Sequence, residues 1–304
     1  MILLLAEQSG PLREATSFRR LIAGAESNVA IGVCRLGHSA GWIGRVGDDE
    51  LGRAILLRLR GEGVDLTHAR ADPAAPTGLV IRERREFGPI DVVYYRRGSA
   101  ASRLGPDDLD EDYIRRARIL HLTGITPALS TSCRDAVFAA ADIARAAGVT
   151  VVLDPNLRLK LWSKDEARLI LRELAGKADV LLPGAEEAEL LTGENDPEAA
   201  ARALLGLGPK LVVVKTGVDG SLAVSESEVV RVPAMPLARV VDPVGAGDAF
   251  AAGFHVGQLR GLSLPETLWL ANRCGALAMT VPGDIEGLPR WDEVMDASQS
   301  DIRR

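Results

Sequence analysis

Cysteine and aromatic side chains are scarce in this chain of 304 residues, and long apolar runs are absent. Cys34, Cys133 and Cys274 are odd in number, far apart and in no Cys-x-x-Cys pair. That pattern excludes a disulfide framework and leaves buried small hydrophobes in a reducing compartment. No stretch approaches the roughly 18 apolar residues that span a bilayer. The opening MILLLAEQSG is too short an apolar run, and lacks the basic lead-in, for a signal peptide, so a cytoplasmic location is expected. Positive charge is not in excess: 36 Lys and Arg against 42 Asp and Glu leave −6, which points to no nucleic-acid or membrane partner. The four histidines, His38, His68, His121 and His255, are scattered and form no metal-spaced cluster. There is no Gly-x4-Gly-Lys-Ser/Thr loop, no His-Glu-x-x-His and no Gly-x-Ser-x-Gly, so Walker-type phosphate binding and the commonest zinc and serine hydrolase signatures are missing.

What is present is ordinary globular material, 47% hydrophobic and 26% charged, with no repeat, low-complexity tract or linker. A single domain over 1–304 is expected. Apolar strand-like runs (117–124, 149–156, 178–183, 209–217) alternate with amphipathic helical stretches (130–148, 163–177, 186–193). Strands apolar on both faces belong to a parallel sheet between helices, so the fold class is α/β, doubly wound and mainly parallel. The first hundred residues differ. Two alternating strands, LVIRERR and DVVYYRR, flank a turn with Gly88 and Pro89. Their Arg, Glu and Tyr content suits a small antiparallel flap with one wet face. The expected lid comprises segments of about 11–23 and 77–98.

The chemistry concentrates at RVVDPVGAGDAFAAGFHVG. Gly245, Ala246 and Gly247 precede Asp248 at the mouth of an apolar helix. Free N–H groups and the positive end of the helix favour an anion there. An aspartate in the same place would repel that anion unless it acts on a neighbouring hydroxyl, as base, while the amides hold charge on a transferring phosphoryl group. A helix-capping role for a lone aspartate is the bland alternative. A dinucleotide fingerprint does not fit, because Phe250 stands where its third glycine belongs.

DPVGAGDAFAAGF, together with GAESNVAIGVCRLG (24–37) and GRVGDDELGR (44–53), resembles the motifs of the ribokinase-like (PfkB) sugar kinases, almost end to end. The resemblance implies ATP and Mg²⁺ as cofactors, Asp248 as catalytic base and the amides of Gly245, Ala246 and Gly247 as anion hole. It assigns KTGVDGS to the nucleotide, through Thr216, Gly217, Gly220 and Ser221, and places Asn272 near the adenine. Glu187 corresponds to an acidic residue that organises Mg²⁺ through water, although its usual asparagine partner is Gly184 here. Asp242 corresponds to a monovalent-cation position in some relatives, which would bring in K⁺.

Gly24, Ala25 and Asn28 match the substrate loop, with Asn28 offering donor and acceptor to hydroxyls. Tyr94 and Arg96 share one face of a flap strand, because side chains alternate. Asn156 and Arg158, in DPNLRLKLW, lie just past a strand end, where open α/β sheets bind ligands; Asn156 is assigned to the nucleotide, and Arg158 to both the nucleotide and the substrate. Two arginines converging on one pocket suit a carboxylate. The branch with this pattern phosphorylates 2-keto-3-deoxygluconate, a sugar acid, at its terminal hydroxyl, and there Asp284 matches a further substrate contact. A kinase for a neutral sugar such as fructose or ribose is the alternative, followed by a catalytically silent sugar-binding regulator. Relatives usually begin with a strand and a Gly-Glu or Gly-Asp pair before the stretch matching ILLLAEQSGPL. A first strand is therefore expected to be absent from the sheet, with weakened stability or a reorganised nucleotide-side sheet. The flap edge could pair with a second copy in a homo-oligomer.

Overall fold

The computed structural model describes residues 1–85 and 90–296. The flap turn at Gly88 and Pro89 lies outside the described residues. The strands are β1 (Ile2–Ser9), β2 (Phe18–Ile22), β3 (Gly44–Gly47), β4 (Ala69–Asp72), β5 (Leu79–Arg84), β6 (Val92–Tyr95), β7 (Ile119–Thr123), β8 (Thr150–Asp154), β9 (Val180–Leu181), β10 (Leu211–Lys215), β11 (Ser221–Ser225) and β12 (Val229–Val232). The helices are α1 (Ala25–Arg35), α2 (Glu50–Gly61), α3 (Glu111–Arg115), α4 (Thr131–Ala146), α5 (Lys164–Ala175), α6 (Ala185–Thr192), α7 (Pro197–Leu205), α8 (Ala246–Leu259), α9 (Leu264–Ala278) and α10 (Trp291–Met295).

The main sheet runs β12-β11-β10-β9-β8-β7, parallel from β7 to β10 and antiparallel beyond. Period-2 alternation divides its apolar strands between two cores. Val152 and Val213 face one core with α1, α8 and α9, while Val151, Leu153, Val212 and Val214 face the other with α4 to α7. All six are essentially solvent-free, and each such side chain stabilises the fold by roughly 1.5–3 kcal/mol. An aspartate at Val213 would strand an unpaired charge between the layers. Helix starts follow the local sequence. Ser163 accepts from the Glu166 amide to open α5, and Asp49 accepts from Gly52 to open α2.

The segment expected to form an antiparallel lid belongs to a separate four-stranded sheet, β2-β1-β5-β6, which is mixed: β5 and β6 pair antiparallel as the alternation predicts, but β1 and β5 are parallel. Strand β1, which lies outside the two segments expected to form the lid, is one of its two inner strands. The expectation of a wet lid face holds only in part. Arg82 and Glu83 are buried, since each finds a charged partner of opposite sign.

Among the described residues the strand pairing is continuous at one edge of the main sheet and stops at β7 on the other. Strands β10 to β12 pair continuously, whereas β3 and β4 form a parallel pair detached from β7. Between them runs a cleft of about 730 Å³ lined by residues that include Ala40, Trp42, Ile43, Leu120, His121 and His255. Helices α1 and α8 pack over this region, so the layer stays covered although the strands do not meet. No helix among the described residues is long and apolar enough to cross a membrane.

Candidate active site

Helix α8 begins at Gly245, whose φ of +85° is a conformation that favours glycine and whose missing Cβ would lie 2.4 Å from the Asp284 carbonyl oxygen. The chain can therefore turn tightly against the 283–284 segment and present the first amides of α8 outward. Asp248 stands in that first turn and is almost wholly buried. Asn28 of α1 donates from Nδ2 to Asp248 Oδ2 at 2.8 Å, and Asn156 Nδ2 approaches Oδ1 at 3.4 Å. Burial pushes the Asp248 carboxyl up to about 7; the Asn28 hydrogen bond opposes this, Asp154 and Asp284 add to it, and Lys215 opposes it. The amide Oδ1 of Asn28 is buried without a hydrogen-bond partner, an acceptor left free beside Asp248.

Asn156 is held with φ +39°, the one positive-φ residue other than glycine among those described, and its own amide donates to Asp154 Oδ1. Asparagine tolerates this left-handed geometry, which explains the residue type at the end of β8. Asp154 also receives Lys215 Nζ at 2.7 Å. Burial opposes the Lys215 charge, but Asp154, Glu187 and Asp248 outweigh it and hold the ammonium protonated above its ordinary range. A Cβ placed on Gly247 would lie 3.8 Å from Lys215 Nζ, so this cation borders the first turn of α8.

Asp242 heads the turn before Gly245. It accepts from the amides of Val244 and Gly283 and from Arg82 of the lid, whose Nη2 lies 2.5 Å from Oδ2. Arg82 Nη1 is also 3.7 Å from Asp284. Burial raises the Asp284 carboxyl to about 6, with Arg82 opposing.

Other residues expected on the sugar side lie at the start of α1, on and just after β6, and after β8. Gly24 precedes α1, with Ala25 and Asn28 buried in its first turn. The Arg96 guanidinium lies over the Tyr94 ring at 4.1 Å, on the common face that alternation predicts. Arg96 is buried, and its Nε and Nη2 have no partner. Burial makes its charge harder to hold, Tyr94 and Glu26 help it, and Arg158 opposes it. Arg158 is exposed and donates to the Leu157 carbonyl. The Met1 ammonium, bonded to the Ala23 carbonyl, is lowered to about 6 by burial and feels Glu26, Asp284 and Arg96. Those shared neighbours join the arginine end of the site to the Asp248 end. Glu26 itself accepts from Thr123 and Thr126 at 2.6 Å.

On the remaining side, the Thr216–Gly220 turn follows β10, with positive φ at Gly217 and Gly220. A Cβ on Gly220 would meet the Val232 carbonyl at 2.1 Å. Ser221 is buried with its Oγ unpartnered. Asn272 spends its amide N–H groups on the Val232 and Pro233 carbonyls, a structural duty that fixes the end of β12. Glu187 accepts from the Gly184 and Leu157 amides, capping α6 and holding the loop that carries Arg158. No group of three or more His, Cys, Asp or Glu suited to a metal occurs among the described residues.

The motifs thus converge, but they omitted Lys215, Asp154, Glu26 and Arg82. The signal for Lys215 and Asp154 was a single charge closing an apolar strand, in LVVVK and VVLD. Arg82 gave none, because an arginine on an alternating strand looks solvated.

Comparison with known proteins agrees with this geometry. Residues 2–291 match the pfkB family of carbohydrate kinases. The 2-dehydro-3-deoxygluconokinase of Bacillus subtilis (strain 168) is 42% identical over 97% of this chain and 91% of that protein. A crystal structure of a PfkB protein from Polaromonas sp. JS666 superposes with a TM-score of 0.88 at 42% identity, covering 97% of this chain and 96% of that one. A putative ribokinase II from E. coli in complex with ATP and Mg²⁺ superposes with a TM-score of 0.89 at 30% identity, covering 96% and 94%. With a buried aspartate behind the glycine turn of α8 and a four-stranded lid above it, this chain belongs to the pfkB family of carbohydrate kinases.

Proposed function

We propose that the protein transfers the γ-phosphoryl group of ATP to the terminal hydroxyl of 2-keto-3-deoxygluconate or a closely related sugar acid. The observation that carries the sugar-acid reading is Arg96, a buried guanidinium with two nitrogens unpartnered above the site. A buried charge without a partner is costly, and a substrate carboxylate would supply that partner, with Arg158 at the entrance as second cation. A neutral hexose would leave Arg96 unpaired.

In this reading Asn28 Oδ1 accepts from a sugar hydroxyl while its Nδ2 keeps Asp248 oriented. Asp248 takes the proton of the terminal hydroxyl as its oxygen bonds to the γ-phosphorus and the bond to the β-phosphate oxygen breaks. A carboxyl near 7 is matched to that task at neutral pH. The amides of Gly245, Ala246 and Gly247 and the Lys215 ammonium face the transferring group and hold its charge. Mg²⁺ would arrive with ATP and neutralise its phosphates. Thr216, Gly217, Gly220 and Ser221 lie along the nucleotide; Asn272 shapes that side through the Val232–Pro233 segment. Asp284 borders the sugar next to the Met1 amine. Phe18, Val93 and Tyr95 are exposed on the lid, which supports pairing with a second copy. Tyr95→Glu should then shift sedimentation from dimer to monomer; a monomeric parent protein would refute the pairing.

ADP release measured over a panel of ketodeoxy acids, fructose and ribose tests the substrate class. Turnover on the ketodeoxy acids at least a hundredfold above the neutral sugars is expected. Equal or greater turnover on fructose or ribose would overturn the sugar-acid reading.

A further inference from the structure

Asp242 is a buried carboxylate that governs the turn into α8. Its Oδ1 accepts from the Val244 amide at 3.1 Å and its Oδ2 from the Gly283 amide at 3.0 Å. It therefore clamps together the two backbone segments, 242–245 and 283–284, between which Gly245 makes its tight turn. Such a clamp needs a counter-charge, because an uncompensated carboxylate in this setting would be strongly destabilising. Here the charge comes from the lid. Arg82, itself buried, reaches Asp242 with both Nη atoms, at 2.5 and 3.5 Å, and extends to Asp284 at 3.7 Å. With two amides and a guanidinium around it, the Asp242 carboxylate has no unmet charge for a K⁺ ion to satisfy.

We propose that Arg82 is a built-in monovalent cation. It permanently neutralises Asp242, so that the Gly245–Gly247 amides stay aimed at the transferring phosphoryl group and turnover does not depend on alkali ions in solution. Because Arg82 belongs to β5, the same ion pair fastens the lid to the turn that forms the anion hole. Arg82 is a positioning residue; it acts through Asp242 and not on the substrate.

The proposal rests on the kinase reading of the Asp248 site, and its test separates the two. Turnover and melting temperature are measured at equal ionic strength in KCl and in tetramethylammonium chloride, whose cation is too large for the site. For the parent protein, kcat should differ by less than twofold between the salts, and the melting temperature should not respond to K⁺. Arg82→Met keeps the aliphatic bulk but leaves Asp242 uncompensated. Its kcat should fall at least tenfold in tetramethylammonium and recover several-fold in KCl, with its melting temperature rising as K⁺ is added. Arg82→Lys, which retains a charge, should stay insensitive to the salt and guards against a poorly folded methionine variant. Tenfold activation of the parent protein by K⁺, a K⁺-induced rise in its melting temperature, or an Arg82→Met variant equally active in both salts would overturn the proposal. The melting arm needs no substrate. A wrong choice of sugar would show as no turnover in either salt while that arm still decides the role of Arg82.

Discussion

The two ends of the cleft are built on opposite principles. At the Asp248 end the charged groups find partners within the chain: Lys215 pairs with Asp154, Arg82 pairs with Asp242, and Asp248 accepts from the side-chain amides of Asn28 and Asn156. At the lid end, Arg96 is stacked on Tyr94 and left with unpartnered nitrogens. The first arrangement is preorganised and needs no substrate to complete it, which is what electrostatic stabilisation of a transition state requires. The second is incomplete, and only a ligand of the right charge completes it. In the proposed reading, reaction type and substrate choice are therefore carried by different residues, the first satisfied within the chain and the second awaiting a ligand.

The sharpest way to break that division is at Asp248. Asp248→Asn should lower kcat by about 10²–10⁴-fold while leaving KM for the sugar within a few-fold, as measured by ADP release. A variant with a tenth of parental kcat would remove Asp248 as the base. Arg96→Met should do the converse. It should reduce kcat/KM for the ketodeoxy acid by roughly 10–100-fold, the loss of one or two charged hydrogen bonds, and leave activity on neutral sugars unchanged. Equal losses on both substrate classes would show that Arg96 shapes the lid and does not select the acid. The pH profile sharpens the contrast further. With Asp248 raised to about 7, the deprotonated base is lost as pH falls, so kcat/KM should drop about tenfold per unit below 7. The slope should steepen near 6 if Asp284 must also be ionised. A profile flat down to pH 5 would contradict the burial of the base.

The smallest effect concerns the cleft beside β7. His121 Nδ1 and His255 Nε2 lie 3.0 Å apart, and burial lowers His121 to about 3 and His255 below its ordinary value. The unfolded chain binds protons below about 6.5 that the folded pair refuses. Their contribution is thus intact above 6.5 and declines as pH falls toward 3. Asp248 and Asp284, raised on folding, act with the opposite sign, adding stability as pH drops toward 4. Replacing both histidines with leucine should isolate the first contribution. The melting temperature of the double variant relative to the parent should rise by a few degrees between pH 7.5 and 5.5. Parallel curves would count against it.

Much of this was legible in the sequence because it rests on local patterns. Gly245 must be glycine to turn against Asp284, and Asn156 can sit at positive φ as few other residues can, so the motifs around them point to the site unaided. Alternation placed Tyr94 and Arg96 on one face, and the run of apolar strands announced a sheet covered on both sides. Arg82 and the gap at β7 were not legible. A charge on an alternating strand looks solvated until its partner, 160 positions away, is seen, and pairing between strands distant in sequence leaves no mark on either. The partners of Asn272 were hidden for the same reason, since the Val232 and Pro233 carbonyls belong to another element.

Residue order alone determined the α/β class, the glycine turn ahead of Asp248 and the shared face of Tyr94 and Arg96, because helix capping, strand alternation and positive-φ preference act within a few residues. Tertiary structure alone decided that Asp248 is desolvated enough to titrate near neutrality, that Lys215 and Arg82 neutralise its neighbours, and that Arg96 is left unpaired. Those properties depend on which charges are brought together and shut away from water, and only the packing of distant segments sets that.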